Sequence, residues 1–210
     1  MVAPDWRALH AVWFPPGLDA SFDTHRAQFL RWFAGGGPGP LAAFAPLLTA
    51  ARTGVLESWT ATAQGRLALI LVLDQLPRVL HAGTPAAYED DRHALAQAEA
   101  GLAAGDYTGL ATPWEKTFFL LPLAHAEGPD HLARLDRAVG LTQALVAEAP
   151  APLRPLYEHS ANQARGHRDV IARFGRYPHR NTVLGRASTP AERVYLDRDQ
   201  LVHQRAPPER

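Results

Sequence analysis

The pattern that most restricts the fold of this chain is a helix-start signature, Thr-Pro, at three positions. Thr84-Pro85, Thr112-Pro113 and Thr189-Pro190 each place a capping hydroxyl before a proline, which is favoured in the first turn of a helix. At the last two positions, Glu115 and Glu192 stand three residues after the threonine, as in a reciprocal capping box. The signature predicts that helices begin at these three points.

Apolar residues recur at steps of three and four between such starts and the glycines and prolines that end each segment. We predict the following: a short helix through Trp6, Leu9, Val12 and Trp13 before Pro15; a helix from about Asp19 or Ser21 with Phe22, Phe29, Leu30 and Phe33 inward; a loop at Gly35–Pro40; a helix with Leu41, Phe44, Leu47, Leu48 and Ala51 that Gly54 closes; a helix from Thr84 with Tyr88, Leu95 and Leu102 inward, stopped by Gly105; a helix from Thr112 that Pro122 kinks or ends; a helix from Pro129 to Pro150; a long helix from Pro152 or Pro155 to Gly175; and a short helix from Thr189 to about Leu196.

The most apolar segment, Gln64 to Leu80, contains the run Leu67–Leu73 and fits either a central helix or a strand of a parallel sheet. Leucine and alanine dominate over β-branched residues, which favours helix. Asp74 follows the run directly, so its carboxylate is expected to be poorly hydrated and to need a cationic partner. Arg78, four residues on, is one candidate, and an arginine of residues 173–186 is another.

No alternating strand pattern occurs along the chain, so we predict an all-α fold of antiparallel helix pairs. With 210 residues and 47% hydrophobic content, one domain over residues 1–203 is expected, followed by a frayed tail at 204–210. The formal net charge is zero, which argues against a nucleic-acid or anionic-membrane binder. Cysteine is absent, and no basic leader or long apolar run is present, so we expect a cytoplasmic, soluble protein.

The segment 165–189 concentrates basic and imidazole side chains with almost no carboxylate nearby. Its candidate anion-binding or site residues are His167, Arg176, His179, Arg180, Asn181 and Arg186. Pro178 stiffens the segment, so its cations are expected to meet buried carboxylates elsewhere in the chain or a ligand. We expect the segment to fold over the end of the central helix, with its cations near Asp74.

Several strings resemble the bacterial domain-of-unknown-function 924 family. They are Asp74-Gln75-Leu76-Pro77-Arg78, Pro122-Leu123-Ala124-His125-Ala126-Glu127, His167, Phe174-Gly175-Arg176-Tyr177-Pro178-His179-Arg180-Asn181 and Leu184-Gly185-Arg186 with Ser188-Thr189. The resemblance extends from about Trp13 to Leu196 and implies a helical fold similar to tetratricopeptide repeats, with no agreed activity. Val79, Ala82 and Ala126 stand where the family pattern usually has polar residues, which suggests a divergent pocket.

Two functions remain open. In the first, the protein is an enzyme without an organic cofactor that performs acid–base chemistry with His125 or His179, oriented by Asp74 or Glu127. Arg78, His167, Arg176, Arg180, Asn181 and Arg186 would then bind a small anionic or aromatic substrate. In the second, the chain is a binding module for a peptide or small ligand, and the same polar residues form a structural ion-pair network. A metal site from His125, Glu127, His167 and Asp74 has no recognised ligand spacing, and the oligomeric state is left open.

Overall fold

The computed structural model of the chain describes residues 4–33, 39–198, 201–202 and 205–209. All regular secondary structure in these ranges is helical, which confirms the all-α prediction. The α-helices are α1 (Arg7–Trp13), α2 (Phe22–Phe33), α3 (Ala45–Arg52), α4 (Ala63–Ile70), α5 (Leu76–Leu80), α6 (Asp91–Ala104), α7 (Asp106–Gly109), α8 (Pro113–His125), α9 (His131–Glu148), α10 (Arg154–Phe174) and α11 (Pro190–Leu196). Short 3-10 helices at Leu18–Ala20, Gly39–Phe44, Glu57–Ala61, Pro85–Tyr88, Ala151–Leu153 and Pro178–Arg180 connect them.

Backbone contacts divide the chain into two units. The first unit comprises Met1–Gly17 and Gly37–Ala126, and the second comprises Leu18–Gly36 and Glu127–Arg210. The expectation of one domain over residues 1–203 stays a prediction. Neither unit contains a helix, within the described residues, with the length and apolarity needed to cross a membrane.

The first unit is built around the apolar segment Leu67–Leu73, which is buried throughout. It forms α4 and then a π-helical turn over Leu71–Gln75 before α5 begins. The prediction of helix rather than strand is therefore confirmed. The turn widens at this point because Pro77 has no N–H for the carbonyl of Leu73, and its ring would collide with that carbonyl in a regular helix. The Leu76 N–H instead reaches the carbonyl of Leu71.

The second unit is built on α9 and α10, which pack along each other as an antiparallel pair. Arg168, late in α10, donates to Asp136, early in α9, at 2.9 Å. Helix α2 lies against the first half of α10, where His25 and Tyr157 are hydrogen-bonded at 3.1 Å. Gly175 ends α10 with a φ of +70°, a left-handed conformation that glycine adopts without strain.

Two of the three Thr-Pro signatures form the predicted capping boxes. The hydroxyls of Thr112 and Thr189 accept the N–H groups of Glu115 and Glu192, and both glutamates return the contact. Thr84 makes no such cap, and Pro85 begins only a short 3-10 helix. A long helix was predicted to begin at Thr84, and this predicted start was wrong.

The inward face predicted for α6 was also wrong. Its buried residues are Asp91, Ala94, Ala98 and Gly101, whereas Leu95 and Leu102 are only partly covered. Small residues are required on this face because neighbouring side chains approach closely. A Cβ atom on Gly101 would lie 2.5 Å from both Arg66 and Phe119.

Further details of the predicted helices differ from the structure. Phe33 was expected to face inward but is 40% exposed, because it is the last residue of α2, beyond the turns that pack on Tyr157 and His159. Helix α8 continues past Pro122 to His125, so the alternative that Pro122 ends the helix was wrong, whereas a kink at Pro122 stays a prediction.

Two predicted features lie wholly or partly outside the described residues. Most of the predicted Gly35–Pro40 loop is outside them, as are 204 and 210 of the predicted tail. Within the described part of the tail, Pro207 is buried, and Arg26 Nε donates to the Pro208 carbonyl at 2.8 Å. The expectation of a frayed tail at 204–210 stays a prediction.

Candidate functional site

Asp74 is the most deeply buried carboxylate of the first unit, with 0% of its surface exposed. It lies in the π-helical turn Leu71–Gln75, and π-helical turns often occur at functional sites. The adjacent Gln75 donates from Nε2 to Asp74 Oδ2 at 2.5 Å. Burial of an ionised carboxylate is expensive unless several donors surround it, so the remaining partners of Asp74 decide what the turn does.

His125 provides the second contact, from the last residue of α8. Its Nδ1 atom lies 2.8 Å from Asp74 Oδ1 and 3.0 Å from Oδ2. The imidazole side chain keeps 21% of its surface exposed. The pair therefore joins a fully buried carboxylate to a ring that solvent reaches over part of its surface.

Arg78 completes the cluster and confirms the nearer of the two predicted partners of Asp74. Its guanidinium donates to the Asp74 backbone carbonyl and lies 3.3 Å from the carboxylate. The same group donates to Asp91 Oδ1 at 2.7 Å, at the start of α6. Arg78 is thus held between two carboxylates and is occupied by them.

The charges of this cluster set its protonation states. Burial alone would raise the pKa of Asp74, but the charges of Arg78 and His125, together with hydrogen bonds from His125 and Gln75, hold it below its ordinary value. Burial lowers the pKa of His125, and Arg78 lowers it further, while Asp74 opposes the shift. At neutral pH the cluster therefore contains an ionised Asp74 and a neutral imidazole.

A neutral histidine that donates from Nδ1 to a carboxylate carries its lone pair on Nε2. This is the tautomer that a general base needs, and a buried aspartate is the usual group that holds it. Asp74 would also stabilise the imidazolium that forms when Nε2 takes a proton. The arrangement is chemically able to abstract a proton from a molecule that reaches His125.

A second histidine–carboxylate pair in the same unit provides an internal contrast. His10 Nε2 lies 3.0 Å from Glu115 Oε1, and the His10 side chain is 19% exposed. The other oxygen of Glu115 accepts the N–H groups of Ala111 and Thr112 at the start of α8. This carboxylate serves a helix cap, so we assign the His10 pair to structure.

Glu127 was predicted alongside Asp74 but belongs to the second unit. It accepts the Tyr177 N–H at 2.7 Å and is paired with Arg186, which also donates to the Tyr177 carbonyl at 3.0 Å. Burial would raise the pKa of Glu127, but hydrogen bonds from Arg186 and Tyr177 hold it below its ordinary value. These contacts hold residues 177–186 against Glu127, which is the first residue of the longer of the two segments that make up the second unit.

Other predicted ligand-binding residues have structural partners in the same loop. Arg176 donates to both carboxylate oxygens of Glu192, at 2.7 and 2.9 Å, and this contact lowers the pKa of Glu192 to about 2. Asn181 is fully buried, donates to Ser188 and accepts from Arg186, both at 3.0 Å. These three contacts shape the loop that leads into α11.

Tyr177 is the centre of an aromatic cluster that sequence reasoning missed. The rings of His131, His167 and His179 each have their centroid 5.4 Å from the tyrosine ring. The buried Arg180 places its guanidinium 4.8 Å from the centroid of the same ring. His167, His179 and Arg180, all predicted site residues, are therefore brought together around Tyr177.

The predicted site residues thus fall into two groups. Asp74, Arg78 and His125 meet in the first unit, and the others, Glu127, His167, Arg176, His179, Arg180, Asn181 and Arg186, lie in the second. Two members of the first cluster, Gln75 and Asp91, were not predicted. Asp91 had a signal, because acidic side chains are favoured in the first turn of a helix, where Asp91 stands.

Across the described ranges, no three His, Cys, Asp or Glu side chains are grouped so that they could hold a metal ion. The metal set considered from sequence, His125, Glu127, His167 and Asp74, is therefore not assembled within either unit.

Comparisons with known proteins extend over most of the chain. The solved structure of a protein of unknown function from Agrobacterium tumefaciens is similar, with 32% identity and a TM-score of 0.65, over 92% of this chain and 99% of that one. A comparison with curated proteins gave no match. Residues 9–200 match the family described as bacterial protein of unknown function (DUF924). The match extends over far more than half of the sequence, so the chain belongs to this family.

Proposed function

We propose that the protein is an enzyme that needs no organic cofactor and uses His125 as a general base, with Asp74 as its positioning residue. The observation that carries the proposal is the contact of His125 Nδ1 with the buried Asp74 carboxylate at 2.8 Å. We also propose that the protein is cytoplasmic, acts on a small molecule and has a tetratricopeptide-like arrangement of helices.

The charges around His125 favour an uncharged substrate over the anionic one that the arginines first suggested. Arg78 is held by Asp74 and Asp91, and Arg176 and Arg186 are held by Glu192 and Glu127. With His125 neutral, two carboxylates and one guanidinium leave the first cluster with a net negative charge. A negative substrate would be repelled there, so we propose an uncharged molecule with an acidic C–H or O–H group.

Deuterium exchange tests this proposal without knowledge of the natural reaction. A panel of small ketones, aldehydes and 1,3-dicarbonyl compounds would be incubated with the protein in D2O and followed by proton NMR. We expect exchange to be faster than with an equal concentration of free imidazole, and His125→Gln to slow it by about 100-fold or more.

The matched control is His10→Gln, which removes a histidine of similar exposure from the other carboxylate pair of the first unit. We expect it to leave the exchange rate unchanged. If His125→Gln exchanges as fast as the wild type, or both variants slow the reaction equally, the proposal is wrong.

A further inference from the structure

The carboxyl-terminal residues lie on a face of the second unit that the proposed chemistry does not use. Gln163 of α10 donates from Nε2 to the backbone carbonyl of Arg205 at 3.2 Å. Arg26 of α2 donates to the carbonyl of Pro208 at 2.8 Å, and its Nη2 atom lies 3.6 Å from the Glu209 carboxylate. Two of these contacts are hydrogen bonds to backbone carbonyls of the tail, and the third is an ion pair with the Glu209 side chain.

Gly166 provides the closest approach between the tail and α10. A Cβ atom on this glycine would lie 2.9 Å from Cγ1 and 3.1 Å from Cγ2 of Val202. Glycine inside a helix is less favourable than alanine, so its presence here requires a compensating contact. The buried Val202 side chain provides it, because its branched end occupies the space that a side chain at 166 would fill.

The order of these contacts gives the path of the tail. Val202 meets Gly166, the carbonyl of Arg205 meets Gln163, and Pro208 meets Arg26 of α2. From Val202 to Arg205, the described contacts therefore move towards the start of α10. The tail thus presents a pattern that a binding site could recognise. It consists of the branched side chain of Val202, the carbonyl of Arg205 three residues later, and Pro208 followed by the carboxylate of Glu209.

We propose that Arg26, Gln163 and Gly166, together called the tail site, form a peptide-binding site that recognises this pattern. In this chain the site is contacted by Val202, Arg205, Pro208 and Glu209, which act as a tethered ligand. A free peptide with the same pattern, a β-branched residue followed at the sixth and seventh positions by Pro-Glu, binds the tail site when the tether is released.

The tail site is independent of the general-base proposal because it lies in the second unit, whereas Asp74 and His125 lie in the first. His159 marks its inner edge, where burial and the charge of Arg205 lower the pKa of the imidazole. Failure of deuterium exchange would leave the tail site intact, and failure of peptide binding would leave the exchange result intact.

The test uses the full-length chain and a fluorescent peptide with the sequence of residues 201–210. Val202→Asp places a charge against α10 and releases the tether, so the labelled peptide should bind this variant at least about tenfold more tightly than the wild type. The difference is expected because a tethered segment competes at millimolar effective concentration. Binding is measured by fluorescence anisotropy.

The matched controls are two glycines in helices of the second unit. Adding Gly166→Leu to the Val202→Asp chain should abolish peptide binding, whereas adding Gly140→Leu should not, because a Cβ on Gly140 meets nothing within 4 Å. Arg26→Gln, a milder change at the exposed end of the tail site, should weaken binding if Gly166→Leu does not fold. Equal peptide binding by the wild type and Val202→Asp, no binding by either, or unchanged binding with both Gly166→Leu and Arg26→Gln would each overturn the proposal.

Discussion

Asp74 and Glu127 are two carboxylates whose neighbours give them different roles. Both have a pKa below the ordinary value, and in both cases burial opposes the shift and positive or hydrogen-bonding partners outweigh it. Glu127 meets an arginine and a backbone N–H, neither of which changes protonation near neutral pH. Asp74 also meets an arginine, but it is hydrogen-bonded in addition to the imidazole of His125, which remains partly exposed.

The difference shows how the partners of a carboxylate decide whether it can respond to a change of protonation. An arginine and an amide fix a carboxylate permanently, because the arginine stays charged and the amide keeps its proton. A histidine lets the same carboxylate respond to a proton that arrives or leaves. The variants below test whether the two carboxylates differ in this way.

The largest effect is expected for Asp74→Ala. Removing this carboxylate leaves Arg78 and His125 without their central partner in a buried site, so the free energy of unfolding should fall by about 3–5 kcal/mol. Urea denaturation at pH 7 measures the change. Asp136→Ala, which breaks an exposed pair with Arg168, should lose less than about 1 kcal/mol. Similar losses for the two variants would show that Asp74 is not a buried anchor.

Glu127→Gln should have a smaller effect on stability and none on chemistry. The amide can still accept the Tyr177 N–H, but it loses the charge that Arg186 pairs with, so we expect a loss of about 1.5–3 kcal/mol. The deuterium exchange rate of the folded variant should equal that of the wild type. A slower rate would assign Glu127 to the catalytic machinery, as first predicted from sequence, and would end the contrast with Asp74.

The pH dependence of His125 is the third prediction. Its native pKa lies below 6.5, so between that value and 6.5 the unfolded chain binds more protons than the native protein. The stability contributed by this group is therefore complete above pH 6.5 and is lost as the pH falls through 6.5 towards the native pKa. NMR titration of the imidazole measures the midpoint.

Two variants sharpen this prediction because they act in opposite directions. Asp74→Asn removes the charge that raises the pKa of His125, so the midpoint should fall further. Arg78→Gln removes a charge that lowers it, so the midpoint should rise. Shifts of the same sign in both variants would contradict the assigned causes.

The smallest effect is expected at the helix capping boxes, a feature that both units contain. Thr112→Ala and Thr189→Ala each remove a capping hydroxyl from an equivalent box, and each should cost about 1 kcal/mol in urea denaturation. Thr84→Ala is the control, because Thr84 caps no helix with its side chain, and it should change stability by less than about 0.5 kcal/mol.

Local signals in the sequence predicted much of the helical framework. The caps at Thr112 and Thr189, the left-handed Gly105 and Gly175, and the helical run before Asp74 all follow from contacts within a few residues. The wrong assignments, such as the buried face of α6, arise where a neighbouring helix decides which residues are covered. Ala94 and Ala98, rather than Leu95, are buried on that face because only small side chains fit there.

By itself, the sequence predicted a poorly hydrated Asp74 and offered Arg78, one turn away, as one of two candidate partners, because helical spacing carries that information; the structure selects Arg78. Only the tertiary structure decided that His125, 51 residues further on, would hold the same carboxylate, and that Arg186 would pair with Glu127 across 59 residues. Contacts between distant residues depend on how helices pack. Packing is a property of the whole core, to which each residue contributes only a part, so no short stretch of sequence encodes it.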